Sequence, residues 1–251
     1  MAKQIGIVPL SGTIANLTFS HGQDGLLARL KSALDKERIM TDDAFERTRE
    51  NSKEFARACK GAKTLTDLFT VGIDNCYDNR LRGRLVGRLM KVIHGDTSSA
   101  RGSRNLVDGD DSLLSHFQWN RHAGLRSVLK APFTVALDRT AGTCTVNIPS
   151  FIPAILLKGN PDATHYEIIM STAEVDWNDE NRLAEVAFTA MLPWDQTAST
   201  AISQSLSLTV GSVLPIVTTI AIRWYELVSG DYYLLKNINY DTAAIVDVNV
   251  V

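Results

Sequence analysis

The spacing of the apolar residues changes near residue 130, and this change constrains the fold more than any other feature. Before it, apolar residues recur three and four positions apart, as on one face of a helix; after it, they alternate with polar residues, as in strands. The charge changes at the same point. Residues 1–130 hold 21 Lys and Arg against 15 Asp and Glu, whereas residues 131–251 hold 5 against 13. The sequence therefore predicts a basic helical part with a net charge of +6 and an acidic β part with a net charge of −8.

We accordingly predict two domains, a hairpin arm with a basic helical region over 1–130 and an acidic β domain over 131–251. The arm is indicated by apolar residues in an extended segment that glycine and proline interrupt, among them Ile5, Ile7, Ile14 and Phe19. Such a segment either packs as an ordinary hairpin on its own subunit or adds a strand to the sheet edge of another copy. The turn-like residues at 22–25 support the first interpretation, and the second stays open beside it.

Two amphipathic helices are predicted, one over 42–69 with Gly61 as a candidate break and one over 74–93. The second carries an apolar stripe and, beside it, a basic stripe at the same spacing of four: Leu81, Leu85 and Leu89, then Arg80, Arg84 and Arg88. Gly83 and Gly87 each lower helix propensity by about 1 kcal/mol relative to alanine, so this helix should depend on packing. The same glycines would let another backbone approach closely.

The acidic part contains about eight short apolar-polar alternations separated by turn residues, which is typical of an antiparallel sandwich or barrel. The predicted strands cover residues 133–137, 144–148, 166–171, 185–192, 206–210, 217–227, 232–238 and 244–248. We therefore predict an α+β fold in which an N-terminal β-hairpin and long helices are followed by an antiparallel β-sandwich.

No pattern for catalysis or metal binding is present. The five histidines are not spaced to place two imidazoles on one helix face, and no nucleophile elbow occurs. The Asp-Gly-Asp-Asp run at 108–111 lacks the glutamate that would complete a calcium loop. We predict a protein that is not an enzyme, with no catalytic residue, no cofactor and no metal. No apolar run is long enough for a membrane span and no secretory signal opens the sequence, so a cytoplasmic location is expected.

The sequence resembles a family of uncharacterised Bacteroidetes proteins along nearly its whole length. The opening matches at a Gly-Thr-Ile hairpin over 12–14, and the first helix matches at Arg-Thr-Arg-Glu-Asn over 47–51. The β half matches at Ala-Thr-His-Tyr over 163–166. The resemblance implies a shared layout, and it brings no activity and no functional residue with it.

These observations favour a structural subunit that assembles head to tail into a filament, tube or ring, with other copies of itself as partners. The residues expected at the contact are Arg80, Arg84 and Arg88 by polar docking, and Ile5, Ile7, Ile14 and Phe19 by strand addition. Clustered arginines also bind phosphates, so nucleic acid is an alternative partner, less favoured than another copy of the chain. One alternative is a carbohydrate- or protein-binding β module with an aromatic site (Trp177, Trp194, Trp224, Tyr225, Tyr232 and Tyr233); another is a phage-type virion component.

Overall fold

The computed structural model describes residues 2–3, 10–22, 25–31, 36–178 and 184–250. The chain forms two compact units, 1–49 and 50–251. The domain boundary predicted between residues 130 and 131 stays a prediction. Ile5 and Ile7 lie outside the described residues.

The first unit contains an antiparallel sheet in the order β1-β4-β3-β2. Its strands are β1 (Ala2–Lys3), β2 (Gly12–Ile14), β3 (Leu17–Gly22) and β4 (Gly25–Leu30). Helix α1 (Lys36–Thr41) follows, and then a 3-10 turn whose cap is Asp42. The Asp42 carboxylate accepts a hydrogen bond from the Ala44 N–H at 2.9 Å, which satisfies a donor at the start of that turn.

The remaining helices described in the chain are α2 (Glu46–Leu68), α3 (Thr70–Ile73), α4 (Leu81–His94), α5 (Leu125–Val128) and α6 (Pro153–Leu156). Helix α2 runs through Gly61 without a break. Helix α4 begins seven residues later than the predicted Asp74, because Asn75 has a φ of 61°. A left-handed residue cannot continue a right-handed helix. None of the helices in the described ranges is long and apolar enough to cross a lipid bilayer.

Two antiparallel sheets occupy the rest of the second unit. The smaller has the order β10-β6-β5, and the larger is built around the long pair β11 and β7. The strand bounds are β5 Thr134–Asp138, β6 Thr143–Ile148, β7 His165–Glu174, β8 Glu185–Phe188, β9 Leu192–Pro193, β10 Ile202–Ser207, β11 Ile216–Val228, β12 Asp231–Leu234 and β13 Thr242–Asn249. The α+β class and the antiparallel sheets are confirmed.

Strands β7 and β11 are buried on both faces. Alternate residues of a strand face opposite sides of its sheet. Ile169 accordingly packs in a cluster with α2 and α4, whereas Ile168 and Met170 pack in a second cluster with β6 and β10. The large sheet thus has α2 and α4 packed on one face and β6 and β10 packed on the other.

Candidate functional site

An open groove of about 540 Å³ runs between the second half of α4 and residues 116–121. Four cationic side chains line it, namely Arg84, Arg88, Lys91 and Arg121, and no carboxylate from the described part of the chain does so. We call this surface the basic groove. Such a concentration of one sign of charge in a concave surface attracts anions.

Helix α4 supplies one wall because its apolar stripe fixes its orientation. Leu85 and Leu89 are fully buried in the core. The positions that line the groove, at 84, 87, 88 and 91, recur every three or four residues and therefore share the face beside this stripe. A Cβ atom built on Gly87 would meet nothing within 4 Å, so the groove is open above this residue.

Residues 116–121 supply the other wall, and strand β13 holds them. Gln118 forms a single antiparallel bridge to Ala244. The Trp119 N–H donates to the Ala243 carbonyl at 2.9 Å, and the Ile245 N–H donates to the Phe117 carbonyl at 2.9 Å. This pairing places Phe117 and Arg121 beside α4, although both are far from α4 in sequence.

Arg84 joins the two walls. Its Nη1 donates to the Gln118 carbonyl at 2.7 Å, and its Nη2 donates to the Trp119 carbonyl at 2.9 Å and to the Asp78 carboxylate. Its guanidinium carbon also lies 5.3 Å from the centre of the Phe117 ring, within the range of a cation–π contact. Arg84 is therefore a structural part of the groove.

Asp78 is the buried counter-charge, and the sequence reasoning missed it. Its carboxylate also accepts hydrogen bonds from the backbone N–H groups of Arg80 at 2.8 Å and Arg121 at 2.9 Å. Burial by itself would raise the pKa of Asp78, but these two hydrogen bonds and the charge of Arg84 hold it below its usual value. The sequence did contain a signal for Asp78, since it stands three residues before the first residue of α4. Aspartates at such positions often accept hydrogen bonds from nearby backbone N–H groups.

The other cations of the groove remain available to a ligand. Lys91 and Arg121 are exposed, and neither makes an ion pair with any described residue. Arg88 is half-buried and donates to the Leu113 carbonyl at 2.9 Å. Two full positive charges are thus uncompensated at the surface, beside two arginines whose backbone contacts hold them in place.

The residues predicted at the subunit contact lie in different parts of the structure. Arg84 and Arg88 line the basic groove, whereas Arg80 is exposed before the first residue of α4 and outside the lining. In the first unit, Ile14 lies on β2 with 59% of its surface exposed, and Phe19 lies half-buried on β3. Spacing alone could not add Arg121, since only the pairing with β13 brings it to α4.

The aromatic residues predicted for a ligand site do not form one surface. Trp224 and Tyr225 are buried, and Trp194 packs against Trp224 with ring centres 5.3 Å apart. The Trp177 indole donates to the Asp111 carboxylate at 3.3 Å. Of the six, the two that are exposed are Tyr232 and Tyr233.

The lining of the basic groove suits it chemically to contact an anionic surface or segment. Its cations are three arginines and one lysine, which donate hydrogen bonds to carboxylate and phosphate oxygens. Within the described ranges, no three His, Cys, Asp or Glu side chains are placed to hold a metal ion. No family model matches the chain, and no curated protein and no solved structure matches it.

Proposed function

We propose that this chain is a non-enzymatic structural subunit that assembles head to tail with copies of itself, and that the basic groove forms one half of the contact. The observation that carries this proposal is the uncompensated charge of Lys91 and Arg121 in an open groove. The proposal includes an antiparallel sandwich formed by the two sheets, and it keeps the cytoplasmic location predicted from the sequence.

The acidic half of the contact would come from residues 131–251 of the next copy. Asp138, Asp195 and Asp231 are exposed there. Arg139, one of the few cations of this region, is engaged within the subunit, since it donates to the Ser212 and Leu214 carbonyls at 2.7 and 2.9 Å. A basic surface and an acidic surface on one molecule make heterologous contacts, which propagate unless they close into a ring.

The test compares the assembly of the wild type with that of Lys91→Glu/Arg121→Glu by size-exclusion light scattering and negative-stain microscopy. We expect the wild type to form large species at about 0.1 M salt and to dissociate at about 1 M, because the screening length falls from about 10 Å to about 3 Å. The double variant should stay monomeric at both concentrations. Neither side chain makes an ion pair with the described residues, so its fold should be unchanged.

The matched control is Arg82→Glu/Lys130→Glu, which changes the net charge equally at exposed positions outside the groove. It should assemble like the wild type. A wild type that remains monomeric at high protein concentration and low salt would overturn the proposal. Equal loss of assembly in both double variants would show a general effect of net charge and would remove the groove from the contact.

A further inference from the structure

We infer that the segment entering the basic groove is the β11–β12 hairpin of the next copy, residues 226–233. This inference rests on the proposed function, because it names the partner surface for the same groove. It is carried by the shape, exposure and charge of the hairpin, which are independent of the groove.

The hairpin is a tightly built projection. Ser229 and Gly230 connect its strands with φ values of 55° and 98°. Two left-handed residues in a two-residue loop give the turn whose twist matches that of paired strands. Strand β12 pairs with β11, and no other described strand pairs with its second edge.

One face of the hairpin combines carboxylates with apolar side chains. Glu226 lies opposite Tyr233, and Val228 lies opposite Asp231. Residues directly opposite in an antiparallel pair share a face, as do residues two apart along a strand. All four side chains therefore point the same way, and we call this surface the acidic hairpin face.

Three of the four residues of the acidic hairpin face are exposed in the subunit, and Glu226 is half-buried. Tyr233 is 56% exposed and Val228 is 43% exposed. Glu226 and Asp231 make no ion pair with any described residue. The face thus carries two uncompensated negative charges, and the groove carries two uncompensated positive charges at Lys91 and Arg121.

Other exposed acidic residues fit the groove less well. The Asp138 carboxylate accepts a hydrogen bond from the Ala141 N–H at 2.8 Å, and the Asp195 carboxylate accepts one from the Thr197 N–H at 2.7 Å. Both are therefore engaged in their own turns. The hairpin also brings an aromatic ring, which can pack on the Arg88 guanidinium and occupy the space above Gly87.

A charge exchange tests this pairing directly. The groove variant is Lys91→Glu/Arg121→Glu and the hairpin variant is Glu226→Lys/Asp231→Lys. Each alone should fail to assemble, because its groove and its hairpin then carry the same sign of charge. An equimolar mixture should assemble in alternation, since each altered surface meets its complement. Light scattering of the two proteins, separate and mixed at low salt, measures both results.

A further control is Asp162→Lys/Glu185→Lys, which makes the same charge change at exposed carboxylates outside the hairpin. It should assemble like the wild type. Tyr233→Ala tests the apolar part of the hairpin without altering charge, and it should raise the protein concentration at which assembly begins by about tenfold.

The outcomes separate the two proposals. A hairpin variant that assembles like the wild type, while the groove variant does not, overturns the inference and leaves the proposed function standing. A mixture that stays monomeric also overturns the direct pairing. A wild type that never assembles overturns the proposed function itself.

Discussion

One guanidinium group, that of Arg84, holds together three parts of the second unit: helix α4, the turn before it at Asp78, and the segment that pairs with β13. The side chain of Asp78 is completely buried, and that of Arg84 is 26% exposed. Removing one partner of such a pair leaves an uncompensated charge in the interior, and this costs far more than losing a surface ion pair.

We therefore predict that Arg84→Ala lowers the free energy of unfolding by about 3 kcal/mol, at the lower end for buried pairs because Arg84 is partly exposed. Arg88→Ala removes a hydrogen bond to one carbonyl and should cost about 1 kcal/mol. Urea denaturation with an unchanged m-value measures both. Equal and small losses would show that Arg84 does not hold the groove together.

The same comparison shows what sequence could predict of the site. Helical spacing placed Arg84 and Arg88 on one face of α4, and the structure agrees. Spacing cannot distinguish an arginine that reaches a buried carboxylate from Arg80, which does not line the groove. It also cannot bring Arg121 to α4, because that depends on a single bridge between Gln118 and Ala244.

Among the elements, the long aliphatic strands were the most predictable, since β7 and β11 are rich in β-branched residues that suit a buried sheet. Strand β10 was predicted over 206–210 and lies at Ile202–Ser207. Its Ile202 and Leu206 are buried. The three polar residues between them favour a loop when only the local sequence is considered. Its position depends on the register with β6, which pairs Ile202 with Ile148.

Two glycines within helices show the difference between a residue limited by helix propensity and one required by close packing. A Cβ atom at Gly83 of α4 would meet nothing within 4 Å, whereas one at Gly72 of α3 would lie 2.3 Å from Ser171 Oγ and 2.9 Å from Ser171 Cβ. We predict that Gly83→Ala raises the free energy of unfolding by about 1 kcal/mol. Gly72→Ala should lower it by about 1–3 kcal/mol, because β7 must move.

Thermal or chemical unfolding of the two alanine variants against the wild type provides the measurement. A stabilised Gly72→Ala protein would mean that α3 does not pack closely on β7. A destabilised Gly83→Ala protein would mean that the exposed face of α4 is covered in solution.

At the scale of the whole molecule, two buried carboxyl groups should make stability depend on pH. Burial raises the pKa of Asp111 to about 7, although the hydrogen bond from Trp177 opposes this and the charge of Asp110 adds to it. Burial likewise raises the pKa of Asp241 to about 7, against the Asn237 hydrogen bond and the charge of Arg223. In the unfolded chain both groups ionise near pH 4.

Between about pH 4 and 7 the folded state therefore binds more protons, and the free energy of unfolding falls as pH rises. Each group contributes a slope of up to about 1.4 kcal/mol per pH unit. The Asp111→Asn variant lacks the contribution of Asp111 to this pH dependence. The difference in free energy of unfolding between variant and wild type should therefore change between about pH 4 and 7 and stay constant above pH 7. Urea unfolding at several pH values measures this difference; a constant difference throughout would contradict the prediction.

The pairing of β11 on both of its edges has a consequence for biosynthesis. One edge of this strand pairs with β7, which leaves the ribosome earlier, but the other edge pairs along Ile216–Ile222 with β13, which emerges later. A nascent chain that has emerged only through β12 thus presents an unpaired aliphatic edge, the kind of template that promotes wrong pairing between chains. Synthesis of Thr242–Asn249 closes that edge, so a ribosome that stalls before this segment would leave a chain ready to aggregate.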